Sequence, residues 1–280
     1  MKKFFVGFFK FLGIGIFVAV SVLCGVLIGN TVIDSFFATN NYALYDPQEL
    51  KENEAQIIAD YTSGKIIYNT LTENDAAAAL IISIYTLNQK QNYSVSSEGT
   101  VTNPLTNQSL YNSFEKQGNT TTSIQLSGGI FKVANKVVTN LTTGDVEVYL
   151  GTLNADGKSA TFTSPANTYT KEEYYNIYGV EADEFMGRIV SSKTILSSKI
   201  EKGNTTTFTL SLDPVKSVIL YAKQVSVNTG MDMPNFSSVN LTFEIDSSFN
   251  LLRFSITEAY TVKYGITVNC NSTVNSTISF

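Results

Sequence analysis

The 280-residue chain carries 24 acidic against 19 basic side chains, a net charge of −5, and has neither histidine nor tryptophan. Without histidine, Ser-His-Asp and Cys-His triads and histidine-ligated metal centres are excluded. The acidic balance argues against nucleic acid and against an electrostatic grip on anionic lipid heads, and Cys24 and Cys270 are too few for a disulfide framework.

From Phe11 to Gly29 the chain reads FLGIGIFVAVSVLCGVLIG, with no charge. At about 1.5 Å per residue this makes a helix of roughly 28 Å, close to the hydrocarbon thickness of a bilayer, and no other run is long enough to span. A cleaved secretory signal wants a shorter apolar region and small residues before the cut. Here the best candidate cut, after Ala38, is preceded by bulky Phe36. Acylation of Cys24 wants a small residue before it, where Leu23 stands. An uncleaved signal anchor is expected instead, with Lys2, Lys3 and Lys10 on the cytoplasmic side and the C-terminal domain outside the cell. Gly25 and Gly29 form a GxxxG step on one helix face, the kind that supports weak self-association, although small residues are common in such helices. The expected organisation is residues 1–40 as tail, anchor and connector, and 41–280 as one extracytoplasmic domain. That domain has a net charge of −7, since only Lys2, Lys3, Lys10 and Asp34 are charged before it.

After the anchor, Phe36, Phe37, Tyr42 and Tyr45 suit the headgroup level, where aromatic rings are favoured. Asp46-Pro47 then opens a short helix, with Asp46 as its cap. Thr72-Glu-Asn-Asp75 caps a second helix, AAAALIISIYTLNQK, in which Ser83 is the sole polar residue between Ala76 and Tyr85. Ten apolar residues are too few to cross a bilayer, so the helix belongs inside the domain with a sheet around it.

Strands are expected at 92–102, 108–117, 121–133, 145–153, 158–163, 188–200, 205–212, 238–246, 250–264 and 266–278, all rich in Thr, Val, Ile, Tyr and Phe. Asp156-Gly157, Glu201-Lys-Gly203-Asn204 and Asp246 to Asn250 read as hairpin turns. Two helical inserts interrupt the strands. Thr170-Lys-Glu-Glu173 is a capping box with a stop at Gly179, and Asp213-Pro214 precedes a stripe of Val215, Val218, Ile219, Ala222 and Val225.

Motifs for catalysis are weak. Ser113-Phe-Glu-Lys116 has the Ser-x-x-Lys spacing but lies in an expected strand, where that chemistry needs a helix start. Glu181-Ala-Asp-Glu184 lacks the alternating donors and turn glycine of a calcium loop and reads as a solvated acidic helix face. Gly128-Gly129 reads as a bulge or bend rather than a phosphate loop. No cofactor and no catalysis are expected.

The order of elements, a buried apolar helix followed by a long antiparallel meander with helices inserted late, resembles the lipoprotein-carrier and lipid-carrier lipoprotein family over residues 47–280. No motif of that family is matched residue by residue, so no functional residue carries over. The resemblance implies an α+β fold in which a curved antiparallel sheet, a half-open barrel, cups helices around an apolar cavity. It also implies that the cavity takes acyl chains or lipidated partners. On this reading Leu80, Ile81, Ile84 and Leu87 form one stripe against the concave face and, with Val218 and Ala222, are the candidate cavity-lining residues. The competing expectation is a structural or accessory envelope protein with a solid core, working through protein contacts. A continuous void of several hundred Å³ separates the two.

Overall fold

Local chain chemistry starts three helices where the sequence says it should, at Asp46, Thr72 and Thr170. The helix expected after Asp213-Pro214 begins only at Ile219, and the helix Glu54–Thr62 is an addition. The computed structural model describes residues 41–104, 107–128, 133–229, 232–264 and 266–280. The stretch 11–29, its Gly25 and Gly29, and Phe36 and Phe37 lie outside them. Among the described residues no helix is long and apolar enough to cross a membrane. Helix α1 is Pro47–Leu50, with the Asp46 carboxylate accepting from the Gln48 N–H at 2.8 Å. Helix α2, Glu54–Thr62, is capped by Asn53. Helix α3, Ala76–Asn88, follows a reciprocal capping box in which Asp75 accepts from the Thr72 N–H at 2.8 Å. Helices α4, Lys171–Tyr178, and α5, Ile219–Thr229, come later. Thr170 and Glu173 box the start of α4, and Gly179 ends it at φ +80°, a conformation that costs glycine nothing.

Among the described residues, twelve strands make one antiparallel sheet. In chain order they are β1 Asn92–Thr102, β2 Asn107–Gln117, β3 Thr120–Gly128, β4 Val133–Asn140, β5 Asp145–Leu153, β6 Ala160–Phe162, β7 Asn167–Thr170, β8 Ile195–Lys202, β9 Thr206–Leu212, β10 Asn235–Ile245, β11 Leu251–Tyr264 and β12 Ile266–Ser279. Their spatial order is β6-β5-β4-β3-β2-β1-β12-β11-β10-β9-β8, with β7 also on β5. Two meanders, β1–β7 and β8–β12, are thus fused where the last strand pairs with the first, from Ser94↔Ser279 to Thr102↔Asn271. The ends β6 and β8 are not paired with each other, so the sheet is open. The fold is α+β.

The expected hairpin turns join β5 to β6, β8 to β9 and β10 to β11. Other expectations are corrected. The stretch read as one strand over 121–133 is two strands; Ser127 pairs with Val133, so Gly128 lies at a reversal rather than a bulge. The strand expected from 188 begins only at Ile195, and β4 and β7 went unread because their polar residues mask the alternation. Residues 181–184 are not helical, so no acidic helix face exists there. Tyr42 is no headgroup residue: its ring is buried and its hydroxyl donates to the Pro234 carbonyl at 2.8 Å. An aromatic ring can be buried in this way once its hydroxyl finds an acceptor.

One face of the sheet carries the main core. Rows of side chains cross it in register, Phe208–Phe243–Phe254 and then Leu210–Leu241–Ile256 over β9, β10 and β11. Phe208 and Phe243 are stacked at 5.0 Å between centroids. Helix α3 lies on this core through Ala76, Ala79, Leu80, Ser83 and Leu87, all buried. The spacing i, i+3, i+4, i+7, i+11 keeps these residues on one stripe, and Ile82, wholly buried on another side, shows that the helix is covered over more than one face. The Ser83 hydroxyl is satisfied inside the helix, donating to the Ala79 carbonyl at 2.8 Å. The stripe of Leu80, Ile81, Ile84 and Leu87 is therefore rotated from its expected place: Ile81 and Ile84 are only half-buried.

Candidate functional site

Two cavities lie beside that core. The larger, about 280 Å³, is walled by α3, by residues 51–58 and by the irregular segment from Val180 to Val190. Leu80, Ile81 and Ile84 line it, together with Ile58, Phe185 and Leu220. Leu87, Val218 and Ala222 do not line it; all three are wholly buried in the main core, where helix packing leaves no space beside them. The structure thus brings three of the six candidates together at a cavity and places the other three in solid packing.

The second cavity, about 130 Å³, lies between the sheet and the other side of the same segment. Register creates its chemistry. The row that begins Phe208–Phe243–Phe254 continues over β12, β1, β2, β3 and β4 as Ser276, Ser97, Asn112, Gln125 and Asn135. An aromatic row thus turns polar halfway across one face. Ser276, Ser97, Asn112 and Gln125 all line the cavity. The Ser97 and Ser276 hydroxyls hydrogen-bond to each other at 2.7 Å, while Asn112 Oδ1 is buried without a partner. Strands lie roughly 4.8 Å apart, so residues from β11 to β3 meet around so small a space only where the sheet curves. Gly99, one step along from Ser97 on this face, supports that curve: a Cβ there would stand 2.4 Å from the Thr273 carbonyl oxygen on β12.

Two charges are buried at the base of this cavity. Arg188 donates through Nη2 to Glu258 Oε1 at 2.7 Å, and its guanidinium lies 3.6 Å from the centroid of the Tyr221 ring. Burial pushes the Tyr221 hydroxyl up and the Tyr260 hydroxyl well above the usual phenol range. Both therefore remain neutral.

Glu184 faces both cavities. Its side chain is exposed to solvent on one side, while protein atoms crowd its carboxyl on the other. This partial desolvation pushes its carboxyl up to about 7, against a smaller opposing pull from Lys51. Its neighbour Asp183 is paired with Lys171 at 2.6 Å. Among the described residues no group of three acidic or cysteine side chains is placed to hold a metal. Ser113 and Lys116 lie on β2, and Cys270 is a buried thiol that donates to the Val268 carbonyl at 4.0 Å.

Sequence reasoning places neither the polar row of Ser97, Asn112, Gln125 and Ser276 nor the segment Val180–Arg188 in a site, and the segment, read as a helix face at 181–184 and a strand start at 188, is irregular. It has neither a helical nor a strand period. Its one signal is Arg188, one of two arginines in the chain, set within the apolar run Phe185-Met-Gly-Arg-Ile-Val190.

No family model matches the chain, and no curated protein matches it. Among solved structures it is similar to lipoprotein LppX of Mycobacterium tuberculosis, with 15% identity over 72% of this chain and 92% of that one, at a TM-score of 0.24. It is also similar to the ywiB protein of Bacillus subtilis, with 10% identity over 70% and 99% of the two chains, at a TM-score of 0.21. At such scores neither likeness establishes a common fold.

Proposed function

We propose that this is a membrane-anchored extracytoplasmic protein that binds or shuttles a lipid, an acyl chain or a lipidated partner, without catalysis. The observation that carries the reading is the cavity of about 280 Å³ beside α3, where Ile81 and Ile84 are apolar yet only half-buried. Its volume is at the lower edge of small-molecule pockets, roughly 300–1,000 Å³, so it suits one chain rather than several. Apolar side chains left beside open space are what an apolar ligand would cover. The anchor rests on the uncharged run 11–29 and the lysines before it.

Native mass spectrometry of the purified full chain tests the first part: co-purified acyl species are expected, and a clean apo mass after incubation with acyl compounds counts against it. Protease protection in intact cells tests the second. Residues 41–280 should be digested from outside, and their protection would overturn the orientation.

The reading as a structural or accessory envelope protein is favoured by a different observation, the solid packing around Leu87, Val218 and Ala222. It predicts an apo protein that co-purifies with a protein partner and binds no acyl compound.

A further inference from the structure

Only the segment Val180–Arg188 divides the two cavities, and its Val180, Glu184, Phe185, Gly187 and Arg188 line both. The wall is thin at Gly187. A Cβ placed there would touch only Val180 Cγ1 at 3.4 Å and Gln224 Oε1 at 4.0 Å. Both linings are mixed, but each holds one cluster of its own. The larger chamber groups Ile58, Ile81, Ile84 and Leu220 beside Lys51, Glu52 and Glu54, and the smaller sets the polar row of Ser97, Asn112, Gln125 and Ser276, with Gln224, against apolar Val95, Leu110 and Ile256. Arg188 and Glu258 in the smaller chamber are spent on each other, and Glu184, which it shares with the larger chamber, is neutral below about pH 7 and then both donates and accepts. What remains is a set of hydroxyls and carboxamides, groups that both donate and accept. A polyol satisfies such a set. A lone anion would lose its hydration there and find no counter-charge, and a cation would find one only where Glu184 is ionised, above about pH 7.

We propose that the two chambers form one bipartite site for a single-chain amphiphile, its tail against Ile81 and Ile84 and an uncharged polyol head against the Ser97–Asn112–Gln125 row. The inference rests on the apolar chamber accepting a chain, as proposed above. Around the larger chamber Asp183 is paired with Lys171, and Glu52 and Glu54 outnumber Lys51, a balance that disfavours a carboxylate head in its place.

The experiment uses the full chain stabilised in amphipol. At pH 6, where Glu184 is neutral, it is incubated with an equimolar mixture of a monoacylglycerol, a fatty acid and an alkylamine of one chain length, and native mass spectrometry reads which is bound. The monoacylglycerol is expected to exceed each of the others about tenfold, since two or three added hydrogen bonds are worth about that factor. Asn112→Leu and Gln224→Leu should each bring the ratio down towards one while a chain still binds. Gly187→Leu, which fills the thin wall, should do the same, and the three variants guard against any one failing to fold. Equal occupancy by all three heads in the wild type overturns the bipartite site but leaves the acyl-binding reading standing. A preference for the amine, or a ratio unmoved in every folded variant, also overturns it. Absence of any bound amphiphile overturns the acyl-binding reading itself.

Discussion

Arg188 holds Glu258 by two donors on one oxygen, Nε at 3.0 Å and Nη2 at 2.7 Å, with only 13% and 2% of the two side chains exposed. Glu258 sits on the inner face of β11 in the row Leu212–Val239–Glu258–Ser272, where an apolar residue would otherwise belong. The pair ties the irregular segment to the sheet. Removing one partner leaves the other charge buried and uncompensated. Glu258→Gln should therefore cost about 3–5 kcal/mol, read as a lower urea midpoint. Arg188→Met combined with Glu258→Leu should recover most of that loss, because two apolar residues need no partner. A neutral single substitution would show that water reaches the pair.

Helix α3 offers a comparison between solid core and cavity wall. Leu87→Ala removes atoms from full packing and should cost about 2–5 kcal/mol. Ile84→Ala enlarges a space that already exists, so its cost should be about 1 kcal/mol or less. Denaturant midpoints of the two variants decide this. Equal and large losses would mean that the cavity is closed in solution.

The carboxyl of Glu184 gives the domain a pH dependence of definite sign. Its folded value, about 7, lies above its ordinary value of 4.5, so the folded state holds the proton more tightly. Its contribution is fully present below about pH 4.5 and is lost as pH rises through 7. With water in the cavities screening the charge, the loss should be about 1 kcal/mol. Thermal midpoints of wild type and Glu184→Gln, compared at pH 5 and pH 8, are expected to coincide more closely at the lower pH. An acyl ligand that displaces the water should desolvate the carboxyl further, so such a ligand should bind more tightly at pH 6 than at pH 8.

Gly99 is a steric requirement rather than a flexible point. A methyl at this position meets the backbone of β12, 2.4 Å from the Thr273 carbonyl oxygen, and backbone cannot move aside as a side-chain tip can. Gly99→Ala should cost about 2 kcal/mol or more through strain at the β1–β12 seam, with a matching fall in thermal midpoint. Gly118→Ala, at φ +57° in an open turn, should cost less because only the local backbone is strained. Equal effects at the two sites would place the curve elsewhere.

Much of this protein is written in short stretches of chain. Thr72 with Asp75 and Thr170 with Glu173 start their helices within three residues, and Asp46-Pro47 does so within two. Gly157 and Gly179 reverse or stop the chain by their own conformational freedom. The interior place of α3 follows from its almost unbroken apolar run. Such signals are readable because their energies come from neighbours in sequence. The site is of the other kind. Ser97, Asn112, Gln125 and Ser276 look like unremarkable strand residues, and they become one polar row only when β12 pairs with β1 across some 180 positions and fixes the register. Arg188 and Glu258 are 70 residues apart, and the segment bearing Arg188 has no period of its own. Its path is set by the surfaces it separates. Cavities are differences between packed volumes, so which side of α3 is filled and which is left open depends on every element around it. That is why Leu87 and Ile84, three residues apart on one apolar helix, have different surroundings that only the tertiary structure decides.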